Sequence, residues 1–255
     1  MIKFFRNIRK KLLAEGKTAN YLKYAIGEII LVVIGILIAL QINNWNENKK
    51  AKEKEVKLLI ELKGDLLETK NDLLTDIEKT QHILSTTNML YKAIIADQVF
   101  EKKPFKLSTS YILETASLFP KLSAYEAIQS EGITIISNDS LRKKVTDFYQ
   151  LHLKRVAAAE EYLEDINNKV LKPYLNKFSK YGSKCKDCKD LYELYSSNQE
   201  ARLNLYLISK VDDELVHMLK EKFNVFKTLN QRYLELSSLI DEIIISIDYE
   251  TNPKL

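Results

Sequence analysis

The chain contains two cysteines, Cys185 and Cys188, and they form a C-x-x-C pair. A zinc site would need two further ligands near this pair, and the sequence offers no obvious ones. A thioredoxin-like redox centre would follow a strand of a βαβ unit, and no such unit is predicted. In an oxidising compartment the pair most simply closes a small disulfide loop, with free thiols and redox activity as the alternatives.

The other residue types that could support catalysis are scattered. The three histidines are isolated, and the nearest case to a metal-binding helix face is Asp213 with His217, which favours a surface ion pair over a metal site. Residues 160–165 contain four acidic side chains, but the Glu-x-x-His pairs of di-iron bundles are missing. The nucleophile-elbow, phosphate-loop and H-E-x-x-H motifs are also missing. We therefore predict no enzyme activity, no metal site and no cofactor.

The most distinctive polar constellation of the remaining chain is a corner that contains Tyr125, Ser130, Gly132 and Asn138. Residues of these types are typical of helix caps and of a tight reversal between two helices. The alternative is that the corner, which is polar and has aromatic support, contacts a ligand or a protein partner.

One apolar stretch, residues 24–42, predicts the element that anchors the protein. From Tyr24 to Trp45 a helix would extend roughly 30 Å, the thickness of the hydrocarbon core of a bilayer. Tyr21 and Tyr24 stand at one end and Trp45 at the other, where aromatic rings suit the membrane interface. The stretch is too long for a signal-peptide core and lacks a cleavage site, which favours an uncleaved signal anchor.

Four residues inside this stretch could mediate assembly. Glu28 is a carboxylate one turn into the span, which makes it either a functional group or a group that reaches the lipid headgroups. Gly27, Gly35 and Ala39 recur on one helix face, where small residues allow close approach of a second helix. Self-association or a protein partner in the membrane is therefore a hypothesis, and a simple lipid anchor is the alternative.

The positive charge of the chain is concentrated at the anchor. The formal net charge is +4, and the first 46 residues alone carry seven Lys and Arg against two acidic residues. The remainder is slightly acidic, which argues against a nucleic-acid partner. The excess of Lys and Arg before the span predicts a cytoplasmic N-terminus. We therefore expect a single-pass protein of the bacterial inner membrane whose C-terminal domain lies in the periplasm.

The low content of Gly and Pro favours an all-α fold. We divide the chain into a basic amphipathic cytoplasmic segment (1–20), a transmembrane helix (21–45) and an extracytoplasmic, elongated antiparallel helical bundle (46–255). The bundle is predicted to have three long helices, over 47–97, from 137 or 138 to 178, and over 197–247, plus short helices. The apolar stripe of the first consists of Leu59, Leu62, Leu66, Leu73, Ile83 and Leu90, and it is widened by Leu58, Leu67, Leu74, Ile77 and Leu84. Thr69, Asp76, Thr80 and Thr87 interrupt it. A wide, interrupted stripe favours packing within its own bundle over a dimeric coiled coil.

Local signals place the shorter elements. Ser110 is predicted to cap a helix that stops before Pro120. The segment 123–126 is predicted to be a capping box for another helix, with Gly132 just past its end. Ile133–Ile136 is predicted to be extended because it is apolar and β-branched. A second capping box is predicted to begin the last long helix at Ser197.

Two regions of the sequence resemble a known family. The first region, around the span, contains the segments Met1-Ile-Lys-Phe-Phe-Arg6, Lys23-Tyr-Ala-Ile-Gly-Glu-Ile29 and Val33-Ile-Gly-Ile-Leu-Ile-Ala-Leu-Gln-Ile-Asn-Asn-Trp-Asn-Glu47. The second region, at the corner, contains Tyr125-Glu-Ala-Ile-Gln-Ser-Glu-Gly132 and Ile136-Ser-Asn-Asp-Ser-Leu-Arg142. Within it, Glu131 stands where the family pattern has a small residue or Gly. Both regions resemble the domain of unknown function 6090 family, bacterial single-pass membrane proteins typical of Bacteroidota. The resemblance implies a membrane location and helical content, and it brings no catalytic residue.

The sequence favours a non-enzymatic scaffold, sensor or interaction module of the cell envelope. The alternative is an accessory subunit of a transporter or another inner-membrane complex, which would dock through the transmembrane helix. The expected partners are the lipid bilayer and a protein, which includes a second copy of the chain. The sequence does not indicate a small-molecule ligand.

Overall fold

The computed structural model describes residues 18–96, 113–174, 179–180, 202–203 and 213–252. These residues form α1 (Thr18–Ala96), α2 (Ser123–Glu131), a 3-10 turn (Ile133–Ile135), α3 (Asp139–Asp147), α4 (Leu153–Asp165) and α5 (Asp213–Thr251). Two π-helical turns, Phe148–His152 and Ile166–Leu171, continue α3 and α4, so residues 139–174 form one helix, which we call the middle helix. The chain divides into two compact units, Met1–Lys57 and Leu58–Leu255. The predicted all-α fold class is confirmed.

The second unit is built on the apolar face of α1. The predicted face is buried at its main positions, Leu59, Leu62, Leu66, Leu73 and Ile83. The prediction was wrong for Leu67 and Leu74, each of which exposes 45% of its surface. These two residues lie at the edge of the apolar stripe, because the stripe is wider than the face of α1 that the bundle covers.

Helix α5 runs antiparallel to α1, as three contacts at successive levels show. Lys63 Nζ lies 2.5 Å from Asp248 Oδ1, and Lys70 Nζ lies 2.5 Å from Asp241 Oδ1. Further along, Thr80 Oγ1 donates a hydrogen bond of 3.1 Å to Asn230 Oδ1. As the residue number rises on α1 it falls on α5.

The middle helix is antiparallel to α5 on another side. Asn138 Nδ2 donates to Glu250 Oε1 at 2.6 Å, and Lys144 Nζ lies 3.1 Å from Glu242 Oε2. At a higher level, Tyr162 OH donates to Glu221 Oε1 at 2.8 Å. The π turn Ile166–Leu171 lies just before Pro173, which has no N–H to donate to the helix. The wider turn accommodates the missing hydrogen bond.

Residues 113–122, which we call the strap and which are non-helical after Leu113, cross the bundle before α2. The strap has no hydrogen-bond ladder of its own, so side chains of the long helices bind its backbone. Phe119 N donates to Asp72 Oδ2 at 3.2 Å, and Lys121 N donates to Thr69 Oγ1 at 2.9 Å. The helix predicted between Ser110 and Pro120 is therefore wrong for residues 114–120, which lie in the strap.

Helix α2 begins differently from the predicted capping box. Ser123 is the first helical residue, and no side chain of the preceding Leu122 caps the helix. Instead Asp65 Oδ2 of α1 accepts hydrogen bonds from Ser123 Oγ at 2.8 Å and Ala124 N at 2.7 Å. A carboxylate from another helix thus replaces the local cap. The predicted end is confirmed, because Gly132 follows the helix with a φ of 93°.

Two further boundaries differ from the sequence predictions. Residues Ile133–Ile135 form a 3-10 turn and not an extended segment, closed by the hydrogen bond from Ile135 N to Gly132 O at 2.9 Å. The last long helix begins at Asp213 and not at Ser197. Ahead of it Arg202–Leu203 (β2) pairs antiparallel with Ser179–Lys180 (β1), so that part of the predicted helix is a strand.

Candidate functional site

The first compact unit carries the most unusual surface of the described chain. Among the described residues, α1 is the one helix that is long and apolar enough to cross a membrane, and its most apolar stretch has no buried residue. The large apolar side chains of this stretch expose between 46% and 63% of their surface: Leu22, Ile26, Ile29, Ile30, Leu31, Val32, Val33, Ile34, Ile36, Leu37, Ile38, Leu40 and Ile42. A helix that is apolar on all sides requires apolar surroundings.

The residues predicted to mediate assembly lie within this surface. An added Cβ at Gly27 or Gly35 would meet no atom within 4 Å, so both positions are open to a lipid chain or to another helix. Ala39 is exposed on the same helix, and Glu28 is partly exposed. At the far end, Lys49 Nζ lies 6.0 Å from the ring centroid of Trp45, which is 67% exposed.

The predicted corner residues lie around α2, where each makes a contact that stabilises the fold. Tyr125 is buried and Ser130 is exposed, with its hydroxyl donating to Ala127 O at 2.7 Å. Gly132 adopts the positive φ that reverses the chain. Asn138 Oδ1 caps the middle helix by accepting from Ser140 N at 2.9 Å and Leu141 N at 3.0 Å. These contacts use the polar atoms that a ligand would otherwise meet.

An aromatic stack supports the corner from inside. The rings of Tyr125 and Tyr149 lie 4.0 Å apart and are inclined by 7°. Tyr125 OH accepts hydrogen bonds of 3.1 Å from Gln129 and Gln150, whereas the buried hydroxyl of Tyr149 has no partner in the described part of the chain. Burial raises the pKa of Tyr149, and the nearby Asp65 adds to the rise. The hydroxyl is therefore neutral at physiological pH.

The bundle core also contains a layer of acidic residues. Glu160 Oε1 of α4 accepts from Tyr233 OH of α5 at 2.5 Å and from Leu118 N of the strap at 3.0 Å. Asp76 of α1 is 8% exposed, and its Oδ2 has no hydrogen-bond partner in the described residues. Burial raises the pKa of Asp76 to about 6; Asp72 and Glu160 also raise it, and Lys79 lowers it. Burial also raises the pKa of Glu160.

A buried lysine holds the opposite end of the strap. Lys222 is 1% exposed, and its Nζ donates to Glu114 O and to Asn167 Oδ1, both at 3.1 Å. Asn167, in the second π turn, donates in turn to Leu113 O at 2.9 Å. Burial lowers the pKa of Lys222 to about 7, and the charge of Glu114 opposes this change. The cluster fixes the strap backbone on the middle helix and α5.

One groove, the absence of a metal-binding group from the described residues, and the cysteine pair bear on ligand binding. A groove of about 340 Å³ between α1 and α5 is lined by Tyr91, Leu219 and Phe223, and Lys220 Nζ lies 5.5 Å from the Tyr91 ring centroid. Within the described residues, no group of three or more His, Cys, Asp or Glu side chains could hold a metal ion. Cys185 and Cys188 lie outside the described residues, so their predicted disulfide stays a prediction.

The sequence contained a signal for the buried polar residues. Thr69, Asp76, Thr80 and Thr87 interrupt the apolar stripe of α1, and all four are buried. Such interruptions show that polar groups face the core. They do not reveal the distant partners, which are Lys121 N of the strap for Thr69 and Asn230 of α5 for Thr80. Lys222 gave less signal, because one lysine in an amphipathic helix is ordinarily solvent-exposed.

A comparison with protein families finds a match to this chain. The model described as "Family of unknown function (DUF6090)" matches residues 28–197, which is more than half of the chain. The chain belongs to the DUF6090 family. The DUF6090 match begins inside the apolar stretch, covers the corner and the acidic residues Asp76 and Glu160, and ends before α5. No curated protein and no solved structure matches the chain.

Proposed function

We propose that this DUF6090 protein is a single-pass membrane protein whose helical bundle is a non-enzymatic scaffold, sensor or interaction module of the bacterial envelope. The observation that carries the proposal is the exposure of large apolar side chains on all sides of α1 between Leu22 and Ile42. Leaving one such side chain in water costs about 1.5–3 kcal/mol relative to burial. A bilayer removes this cost along the whole stretch.

The charge distribution supports an inner-membrane location with the N-terminus in the cytoplasm. Seven Lys and Arg residues precede Trp45, and the lysines that follow it are interleaved with glutamates. Three close pairs, Lys50 with Glu47, Lys52 with Glu55 and Lys49 with Glu53, bring opposite charges together beyond the span. What bears on topology is the count of Lys and Arg, which is seven before Trp45 and five between Trp45 and Lys57. On this count we propose that the bundle lies in the periplasm.

The contacts of the core support a non-enzymatic role. Glu160, Asn167 and Lys222 are buried groups of types that also occur in catalytic sites, and all three bind the backbone of the strap. Their hydrogen-bonding capacity is directed at the fold. A bundle held in this way presents helix surfaces to partners.

Membrane fractionation tests the anchor. The full chain is expected to remain in the membrane pellet after washing with alkaline carbonate. A variant with Leu31→Arg and Ile34→Arg should be released, because two charges at the centre of a span oppose insertion by about 5–7 kcal/mol. The matched control, Leu67→Arg with Leu74→Arg, puts the same charges on exposed positions of the bundle and should stay in the pellet. Extraction of the unaltered chain would refute the proposal.

A second candidate function is an accessory subunit of a transporter or another membrane complex. The observation that favours it is the open space beside Gly27 and Gly35. In this case Gly35→Leu should release a co-purifying membrane protein in mild detergent, because the larger side chain prevents close helix packing. The control is Ile36→Leu on the neighbouring face, which should leave the complex intact. Unchanged co-purification of both variants would leave the span as a lipid anchor.

A further inference from the structure

One exposed stripe on α1 is apolar although it lies outside the bundle core. Ile60, Leu67 and Leu74 expose 56%, 45% and 45% of their surfaces and recur every seven residues. Gly64 and Asn71 alternate with them on the same side of the helix. A seven-residue apolar repeat follows one side of a helix and forms the seam of a coiled coil. We call these five residues the outer stripe.

The bundle does not use this side of α1. Its own contacts come from positions such as Leu62, Leu66 and Leu73, which are fully buried on the opposite side. On α5, Ile245 exposes 68% of its surface. It stands between Asp241 and Asp248, whose ion pairs with Lys70 and Lys63 lie on either side of Leu67 along α1. A second exposed apolar residue thus stands at about the level of Leu67.

The charges that flank the stripe favour one orientation of a partner helix. Lys63 and Lys70, which pair with Asp248 and Asp241, lie along the side next to α5, and Glu61 and Glu68, the second of which pairs with Lys121, lie along the other side. All of them are close enough to the surface to contact a second helix as well. Two such stripes packed parallel and in register bring the lysine side of one helix to the glutamate side of the other. An antiparallel pair would instead bring lysines to lysines and glutamates to glutamates. We propose that the outer stripe binds the outer stripe of a second copy of this chain in parallel.

The residues between the apolar positions fit this arrangement. An added Cβ at Gly64 would meet no atom within 4 Å, so a second backbone can come close at this level. Asn71 would meet Asn71 of the other copy, and an asparagine at such a position fixes the register and favours two parallel strands. Glu78 follows Asn71 by seven residues, so the Glu78 side chains of the two copies would face each other. Their repulsion ends the seam.

The proposed membrane anchor makes so short a seam sufficient, and this step rests on the proposed function. Two copies anchored in one membrane by the same stretch enter their bundles in the same chain direction, and Ile60 follows the anchor by the same number of residues in each. Three apolar layers give a weak coiled coil in solution, and confinement in the membrane raises the effective concentration of the second copy. The resulting contact has two-fold symmetry.

Disulfide cross-linking in native membranes tests this contact. The full chain carries Cys185→Ser and Cys188→Ser, to which Ile60→Cys, Leu67→Cys or Leu74→Cys is added singly. Each is expected to convert most of the chain, on mild oxidation, to a species of twice its mass, because facing seam positions approach within disulfide range. Lys79→Cys, exposed on α1 but off the stripe, is the control and should stay at the mass of one chain.

The pattern of products distinguishes the outcomes. In an antiparallel pair, Leu67→Cys would cross-link with itself, whereas Ile60→Cys and Leu74→Cys would cross-link only with each other, in membranes that contain both variants. This result would overturn the proposal. So would a product with a different protein or no product at all from chains found in the membrane pellet. Chains that cross-link at all three positions but leave the pellet in carbonate would support the contact and refute the anchor. A Leu67→Glu substitution should abolish cross-linking at Ile60 and leave the helical circular dichroism unchanged, because Leu67 lies outside the core.

Discussion

Replacement of Asp76 by asparagine is predicted to stabilise the bundle at neutral pH. Asp76 is nearly buried, its Oδ2 has no partner among the described residues, and Asp72 and Glu160 surround it with negative charge. These surroundings disfavour the ionised carboxylate and raise its pKa from 3.8 to about 6. At about 1.4 kcal/mol per pKa unit, ionised Asp76 costs the folded state about 3 kcal/mol.

The sign of the pH dependence follows from the direction of this shift. The folded protein binds the Asp76 proton more tightly than the unfolded chain does. The contribution of Asp76 to the free energy of unfolding is therefore most favourable below about pH 4. It falls as the pH rises to about 6 and stays constant above that pH. Glu160, whose pKa is also raised, adds to the loss in the same direction. Asp76→Asn has no proton to lose, so its advantage should appear between about pH 4 and 6.

The assay is urea unfolding of the full chain in detergent micelles, followed by far-ultraviolet circular dichroism at several pH values. Asp76→Asn should match the parent protein at pH 4 and exceed its free energy of unfolding by about 3 kcal/mol at pH 7. Glu235→Gln, an exposed position of α5, is the control and should change stability by less than about 0.5 kcal/mol at either pH. An Asp76→Asn protein that is no more stable than its parent at pH 7 would refute the reasoning.

Three further predictions concern other parts of the bundle. Because burial lowers the pKa of Lys222 to about 7, stability should rise as the pH increases from about 7 toward 10, and Lys222→Met should flatten this rise in the same urea assay. Asn138→Ala should cost about 0.5–2 kcal/mol through loss of the helix cap, whereas Asn138→Asp keeps the cap but places a second carboxylate beside Glu250 and should lose stability for that reason. Cys185 and Cys188 are expected to be joined in the periplasm, so alkylation without reductant followed by intact mass should find both unlabelled.

The long helices were predictable because their apolar periodicity is local. The core face of α1 could be listed from sequence, since residues three and four apart lie on the same side of a helix. The same periodicity could not separate Leu66, which is buried, from Leu67, which is exposed. That difference depends on where α5 and the strap lie, and the spacing of residues in α1 alone does not determine it.

The strap and the start of α2 were not predictable because their partners are distant. Residues 114–120 contain a plausible helical pattern, but Asp72, Thr69 and Glu160 supply hydrogen bonds that an isolated segment could not make. Asp65 likewise caps α2 from another helix. A sequence pattern records the local cap, and it does not record a carboxylate nearly sixty residues earlier that replaces it.

The central claim is that the apolar stretch of α1 anchors the chain with its bundle outside the cytoplasm, and reporter fusions test it most directly. Alkaline phosphatase is active only outside the cytoplasm. Green fluorescent protein fluoresces in the cytoplasm and stays dark when it is exported through the general secretion route. Fused after Leu255, the phosphatase should be active and the fluorescent protein dark. The Leu31→Arg and Ile34→Arg variant, with no functional span, should reverse both signals. A fluorescent, phosphatase-inactive fusion of the unaltered chain would contradict the proposed topology and, with it, the predicted disulfide.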